Sequence, residues 1–291
     1  MVTNLIKVLM IGNSFSICVL KEMPQTAAEL GCKLDIASLY IGGCPLSRHA
    51  GNIAAAHKGD GPTPYLLTWN YSSIPASEDP PFLSAAVKGD KNQWHANIPA
   101  ILSAEKWDVV TIQQASHESW KPASFHPWAD RVIEEIHQRA PQAKIVIQQT
   151  WSYCNADKRI CSPKTGGAGT WGFDQLGMYE RLTANYKALA ETNGFEVIPM
   201  GKAVQLFRER RPVTKVEEDV VGNLKRDDKG VLSGDTIHLN SDGHYLQACV
   251  WTAKLFDVDV TKLKKAPKSM RTPSLAPLLR QCAQDAVKVG P

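Results

Sequence analysis

The sequence predicts a three-layer α/β/α protein built on a five-stranded parallel sheet. Two observations carry this. Short apolar runs end repeatedly in glycine or polar turns, and helical periods separate them, which is the pattern of βαβ units. The composition agrees: over 291 residues it is 43% hydrophobic and 21% charged, ordinary for a globular chain and unlike disordered, collagenous or coiled-coil sequences.

The elements follow in order. Leu5–Ile11 is the first strand. Gln25–Leu30 is a short helix, with Pro24 suited to its first turn and Gly31 to its end. Leu34–Ile41 is a second strand, closed by Gly42-Gly43. Trp107–Gln113 is a third, with Val109-Val110-Thr111-Ile112 at its centre. Pro127–Arg139 is an amphipathic helix and Lys144–Gln149 the fourth strand. Gln175–Thr192 is a long helix that Gly194 ends, and Phe195–Pro199 is the fifth strand. Lys202–Arg210 and Gly243–Phe256 are later helices. The crossovers are expected to be right-handed. The reading is one domain over residues 1–260, with long loop insertions at about 56–94 and 153–174. A basic, Pro-containing tail over 261–291 offers a short helix at about Leu275–Val287. Both insertions follow the C-terminal end of a strand, the edge where open α/β sheets carry ligand sites.

Charge and cysteines exclude several classes. Lysine and arginine exceed aspartate and glutamate by 33 − 29 = 4, too little over this length to argue for nucleic acid. No apolar run approaches 18 residues, so no transmembrane helix and no membrane partner are expected. The chain enters its first strand almost at once, without a signal peptide. As written it fits the cytoplasm, or a secreted protein whose leader has been removed. The seven cysteines are scattered and read as buried thiols, Cys154 and Cys161 being the one pair near enough in sequence to test for a bridge. No metal-ligand spacing, P-loop or Gly-x-Gly-x-x-Gly is present, so no metal and no cofactor are expected. Ser103-Ala104-Glu105-Lys106 resembles a penicillin-binding pattern, but no Ser-Asp-Asn accompanies it.

Four short segments could carry chemistry. In Ile11-Gly12-Asn13-Ser14-Phe15-Ser16 a serine is presented where a strand ends in a tight turn, the place a nucleophile needs. In isolation this is equally an ordinary βα turn with capping residues. Asp235-Thr236-Ile237-His238 precedes the last large helix; a histidine with a carboxylate three residues away can act as an oriented general base. Capping by Ser241 or Asp242 explains the neighbourhood but does not require His238. The Gly42-Gly43 turn can aim an N–H at an oxyanion. Gln113 and Gln114, at the end of the third strand, offer amide donors where a parallel core favours apolar residues. A doubly wound sheet gathers all four at one edge.

Together these segments resemble the SGNH/GDSL hydrolase superfamily of lipases and esterases, over roughly residues 5 to 257. The strand followed by Gly12-Asn13-Ser14, the Gly43 turn, and Asp235-x-x-His238 match its first, second and last blocks. The chain is most similar to a bacterial branch with Ile11–Ser16, Gly42-Gly43-Cys44-x-Leu46-x-x-His49, Trp107–Gln114 and Gln149–Trp151 as they stand here. Asn13 replaces the usual aspartate. The third block, Gly-x-Asn-Asp, is missing; sliding the strand end along it puts His117 on the asparagine position, while Gln114 offers the same amide chemistry.

The resemblance implies a flavodoxin-like SGNH fold and a serine esterase. Ser14 would be the nucleophile, His238 the base and Asp235 its orienter. Ser14, Gly43 and Gln114 would form the oxyanion hole, with no cofactor. Asn13, Arg48, His49, Gln113 and Trp151 are candidate substrate contacts. A small acyl ester, acetyl above all, on a carbohydrate is the implied substrate. The alternatives are an acyl transferase to a sugar acceptor and a non-catalytic carbohydrate-binding protein on the same scaffold.

Overall fold

A computed structural model describes residues 4–59, 63–73 and 80–291. Its elements are β1 Leu5–Gly12, α1 Ser14–Ile17, α2 Met23–Glu29, β2 Lys33–Tyr40, α3 Leu46–His57, β3 Tyr65–Ser72, β4 Val87–Lys88, β5 Trp94–Ala96, α4 Ile98–Ala104, β6 Val109–Ile112, α5 Trp128–Arg139, β7 Lys144–Gln148, α6 Gln175–Asn193, β8 Glu196–Ile198, α7 Met200–Arg210, β9 Val221–Arg226, β10 Leu232–Leu239, α8 Ser241–Phe256 and α9 Ala276–Val289.

The main sheet has the order β4-β5-β3-β2-β1-β6-β7-β8. Its five strands β2-β1-β6-β7-β8 are parallel, in the doubly wound order expected. β1 lies at the centre, and Val8 to Ile11 are buried because helices cover both faces of a parallel sheet. Helices α3, α4 and α5 pack together as one group, and α2, α7, α8 and α9 as another.

Two expectations need correction. The sheet has eight strands, because β3, β5 and β4 extend it in antiparallel fashion beyond β2. β3 and β4 lie inside the 56–94 insertion, expected to be loop, and β5 begins at its last residue. Tyr65, Leu67, Trp69 and Tyr71 do alternate along β3, a period-2 signal that the surrounding Pro, Gly and Ser obscured. Helices α3 and α4 were likewise unforeseen, as was a separate antiparallel hairpin, β9–β10. Cys154 and Cys161 are both free thiols; Cys154 is buried against Gly222 of that hairpin.

The C-terminal segment is docked. Leu279, Cys282, Ala283 and Ala286 of α9 are buried on the α7–α8 side. Arg280 pins the helix by donating to the Tyr245 hydroxyl at 2.6 Å and to the carbonyls of Leu263 and Lys265.

Candidate active site

Ser14 opens α1 directly after β1, at the C-terminal edge of the sheet. Asn13 caps this helix with its Oδ1, which accepts the Phe15 N–H at 3.0 Å. The same Oδ1 accepts from Gln113 Nε2 at 2.7 Å, and Asn13 Nδ2 donates to the Cys44 carbonyl at 3.1 Å. One buried amide thus ties the ends of β1, β2 and β6 together. An aspartate could not donate to Cys44, which gives Asn13 a physical role in this chain. The Phe15 carbonyl accepts from Gln148 at 2.8 Å and Gln247 at 2.9 Å, and the Phe15 ring stacks on Trp151 with centroids 4.2 Å apart.

Asp235 and His238 come from β10. The β9–β10 register breaks between Asp235 and Leu239, so the residues between leave the ladder. Asp235 Oδ1 gathers the freed N–H groups of Ile237 (2.7 Å) and His238 (2.8 Å). Its Oδ2 meets His238 Nδ1 at 2.6 Å, and His238 Nε2 meets Ser14 Oγ at 2.8 Å. Partial burial pushes the Asp235 carboxyl up, but the hydrogen bonds from the His238 ring and the two backbone N–H groups outweigh it and hold it below the usual range. Three bonds brace this segment from outside: Trp151 Nε1 to the Ile237 carbonyl (2.9 Å), the Cys154 N–H to the Thr236 carbonyl (3.1 Å), and Thr236 Oγ1 to Asp157 Oδ2 (2.7 Å).

The structure therefore brings Ser14, His238 and Asp235 into one hydrogen-bonded chain. Gly43 sits nearby in the turn that Asn13 holds; it is exposed and left-handed, at φ +60°, a conformation that suits glycine. Among the described residues no acceptor takes the N–H of Ser14 or of Gly43.

Other expected site residues lie elsewhere. Both N–H bonds of Gln114 Nε2 go to Ser124, at 2.7 Å to its carbonyl and 3.1 Å to its hydroxyl, and Oε1 accepts from Leu46 and Ala115. Gln114 thus clamps two loops and lacks the free donor expected of it. Gln113 and Asn13 are buried in the turn. Trp151 is wholly buried, with its ring on Phe15, so it supports the site from beneath and offers substrate no surface. His49 is also buried: its Nδ1 lies 2.8 Å from the Tyr65 hydroxyl and 3.6 Å from Cys44 Sγ, and burial, with Arg48 nearby, holds its pKa down to about 3. Of the five candidate contacts, Arg48 alone is exposed. The helix after His238 is capped by Asn240, which accepts from Asp242 and Gly243; Asp242 instead holds Arg271 and Thr272. Gln148 and Gln247 escaped the sequence reading. The only signal was a polar residue at the end of an apolar strand or within a buried helix.

A three-layer α/β/α protein with a doubly wound sheet and a Ser–His–Asp chain at its C-terminal sheet edge is the class these features define. The chain belongs to the DUF4886 family, described as a domain of unknown function, which matches residues 84–286. It is similar to the crystal structure of a DUF4886 family protein from Bacteroides uniformis, with 24% identity, a TM-score of 0.72, and coverage of 98% of this chain and 95% of that one. More distant likenesses include a carbohydrate esterase family 3 protein from Talaromyces cellulolyticus (11% identity, 89% and 100% coverage, TM-score 0.47). Another is a member of the lipolytic G-D-S-L family from Veillonella parvula (13% identity, 89% and 100% coverage, TM-score 0.41). No curated protein matches the chain.

Proposed function

We propose that the protein is a serine esterase of the SGNH type that removes a small acyl group, acetyl above all, from a carbohydrate ester. The observation that supports it is the continuous chain from Asp235 Oδ2 through His238 to Ser14 Oγ, at 2.6 and 2.8 Å. These distances lie within the reach that general-base activation of a hydroxyl needs. In this reading His238 Nε2 takes the Ser14 proton as Oγ attacks the ester carbonyl. Asp235, held as a carboxylate, fixes the Nδ1–H tautomer and stabilises the imidazolium. The N–H groups of Ser14 and Gly43 receive the oxyanion. His238 then gives its proton to the leaving alkoxide, which departs as the alcohol and leaves an acyl-Ser14 ester. A water, deprotonated by His238, attacks that ester and releases the carboxylic acid and free Ser14.

The test is mass spectrometry of intact protein after a fluorophosphonate, run beside Ser14→Ala and His238→Ala. One adduct on Ser14, absent from both variants, is expected. No adduct on folded parent protein overturns the reading.

A further inference from the structure

A cavity of about 420 Å³ opens beside the Gly43 turn. Its wall includes Pro45, the residue after Cys44, whose carbonyl accepts from Asn13, the neighbour of Ser14. Gln114 forms the floor between the two loops, bonding Leu46 on one side and Ser124 on the other. The rest of the lining includes Ser47, His117, Glu118, Lys121 and Trp128.

The chemistry of this lining is specific. Glu118 and Lys121 pair at 2.9 Å, so their charges cancel. Partial desolvation lowers the His117 pKa from the usual imidazole value, against the opposing pull of Glu118. The lining thus presents hydrogen-bonding groups of both senses, with the one carboxylate and the one ammonium among its residues paired to each other. The apolar lining is Trp128, with Pro45 and Ala123, and the Arg131 guanidinium lies 5.1 Å from the indole ring. An indole wall with paired donors and acceptors fits a ring that is apolar on its faces and hydroxylated at its rim.

We infer that this cavity receives the alcohol part of the ester, an uncharged polyhydroxylated ring such as a pyranoside, with Trp128 as its stacking wall and the Glu118–Lys121 pair as its hydroxyl partners. The inference builds on the esterase reading for its biological sense, but its test does not depend on turnover. Ser14→Ala protein is titrated by calorimetry with monoacetylated methyl glucopyranoside and monoacetylated methyl xylopyranoside. At least one is expected to bind. Adding Trp128→Ala or Glu118→Gln should weaken that binding tenfold or more, and Trp128→Phe should retain part of it. In Ser14-containing protein, Trp128→Ala should lower the ratio of kcat/KM for the sugar acetate to that for 4-nitrophenyl acetate by at least tenfold, through KM.

Absence of binding by both sugars, or binding indifferent to Trp128 and Glu118 in variants that keep the parent's circular dichroism, overturns the inference. Sugar binding that depends on Trp128, in a protein with no ester turnover, supports the cavity and strikes the esterase reading alone. Turnover of 4-nitrophenyl acetate with a selectivity ratio insensitive to Trp128 does the reverse.

Discussion

The two pieces that meet at His238 and Ser14 are built differently. The Ser14 turn grows from the central strand of the sheet, and buried side chains from several elements hold it from behind. Asn13 ties three strand ends, two glutamines hold the Phe15 carbonyl, and Trp151 backs the Phe15 ring. The His238 segment comes from a two-stranded hairpin apart from the main sheet, and the side chains of Asp235 and His238 remain roughly one-third exposed. It keeps its shape because Asp235 replaces the lost ladder with its own hydrogen bonds. The lesson is that one half of the chemistry inherits its rigidity from the core. The other half depends on a few local bonds, and damage to it should cost activity before it costs stability.

The comparison can be broken most severely at the three residues of the proposed triad. Ser14→Ala and His238→Ala should each reduce ester hydrolysis by about ten-thousand-fold or more, and Asp235→Asn by about ten-thousand-fold. Stability in urea should change little in all three, because these side chains are partly exposed. A smaller loss of rate in steady-state assays would mean that another group activates the attacking oxygen.

Asn13→Ala tests the buried half. It removes a helix cap and leaves the Gln113 amide and the Cys44 carbonyl without their partner. Destabilisation of about 2–4 kcal/mol is expected, read from the urea midpoint, together with a fall in kcat. Thr236→Val tests the hairpin half by breaking the bond to Asp157 while keeping the shape. Here kcat should fall about tenfold with less than about 1 kcal/mol lost from global stability. Equal effects of the two variants on stability would erase the distinction between the halves.

The last expected effect, read from pH and not from rate, is the titration of His49. Its folded pKa, about 3, lies below the ordinary histidine value of 6.5. Between those values the unfolded chain binds a proton that the folded chain refuses, so stability falls as pH drops from about 6.5 towards 3. One proton corresponds to about 1.4 kcal/mol per pH unit. His49→Gln should flatten the stability profile between pH 6 and 4 by about that slope, whatever it does to stability at neutral pH. An unchanged slope in urea titrations would mean that His49 is protonated in the folded protein.

Legibility followed the range of the interactions involved. The parallel strands and the main helices were visible because 2.0 and 3.6 periodicities are local. Ends moved by a residue or two, as β1 did from Ile11 to Gly12. The antiparallel extension was hidden because β3 is flanked by turn-forming residues. At the site, Ser14, Asp235 and His238 stood out because their spacing and their positions at element ends are readable. His49 and Trp151 looked just as suited to binding, but residue type does not say which way a side chain points. Gln114 was chosen for its chemistry, and its neighbours in space consumed that chemistry.

By itself the sequence determined the doubly wound sheet, the strand ends that converge on one edge, and the residue types delivered there. Tertiary structure decided which of those groups are free to react. The reason is the reach of the bonds. Gln113 reaches Asn13 across 100 residues, Gln148 reaches Phe15 across 133, and Gln247 reaches Phe15 across 232. A polar side chain's partner is set by whatever the packed fold places within about 3 Å of it, and no local pattern carries that information.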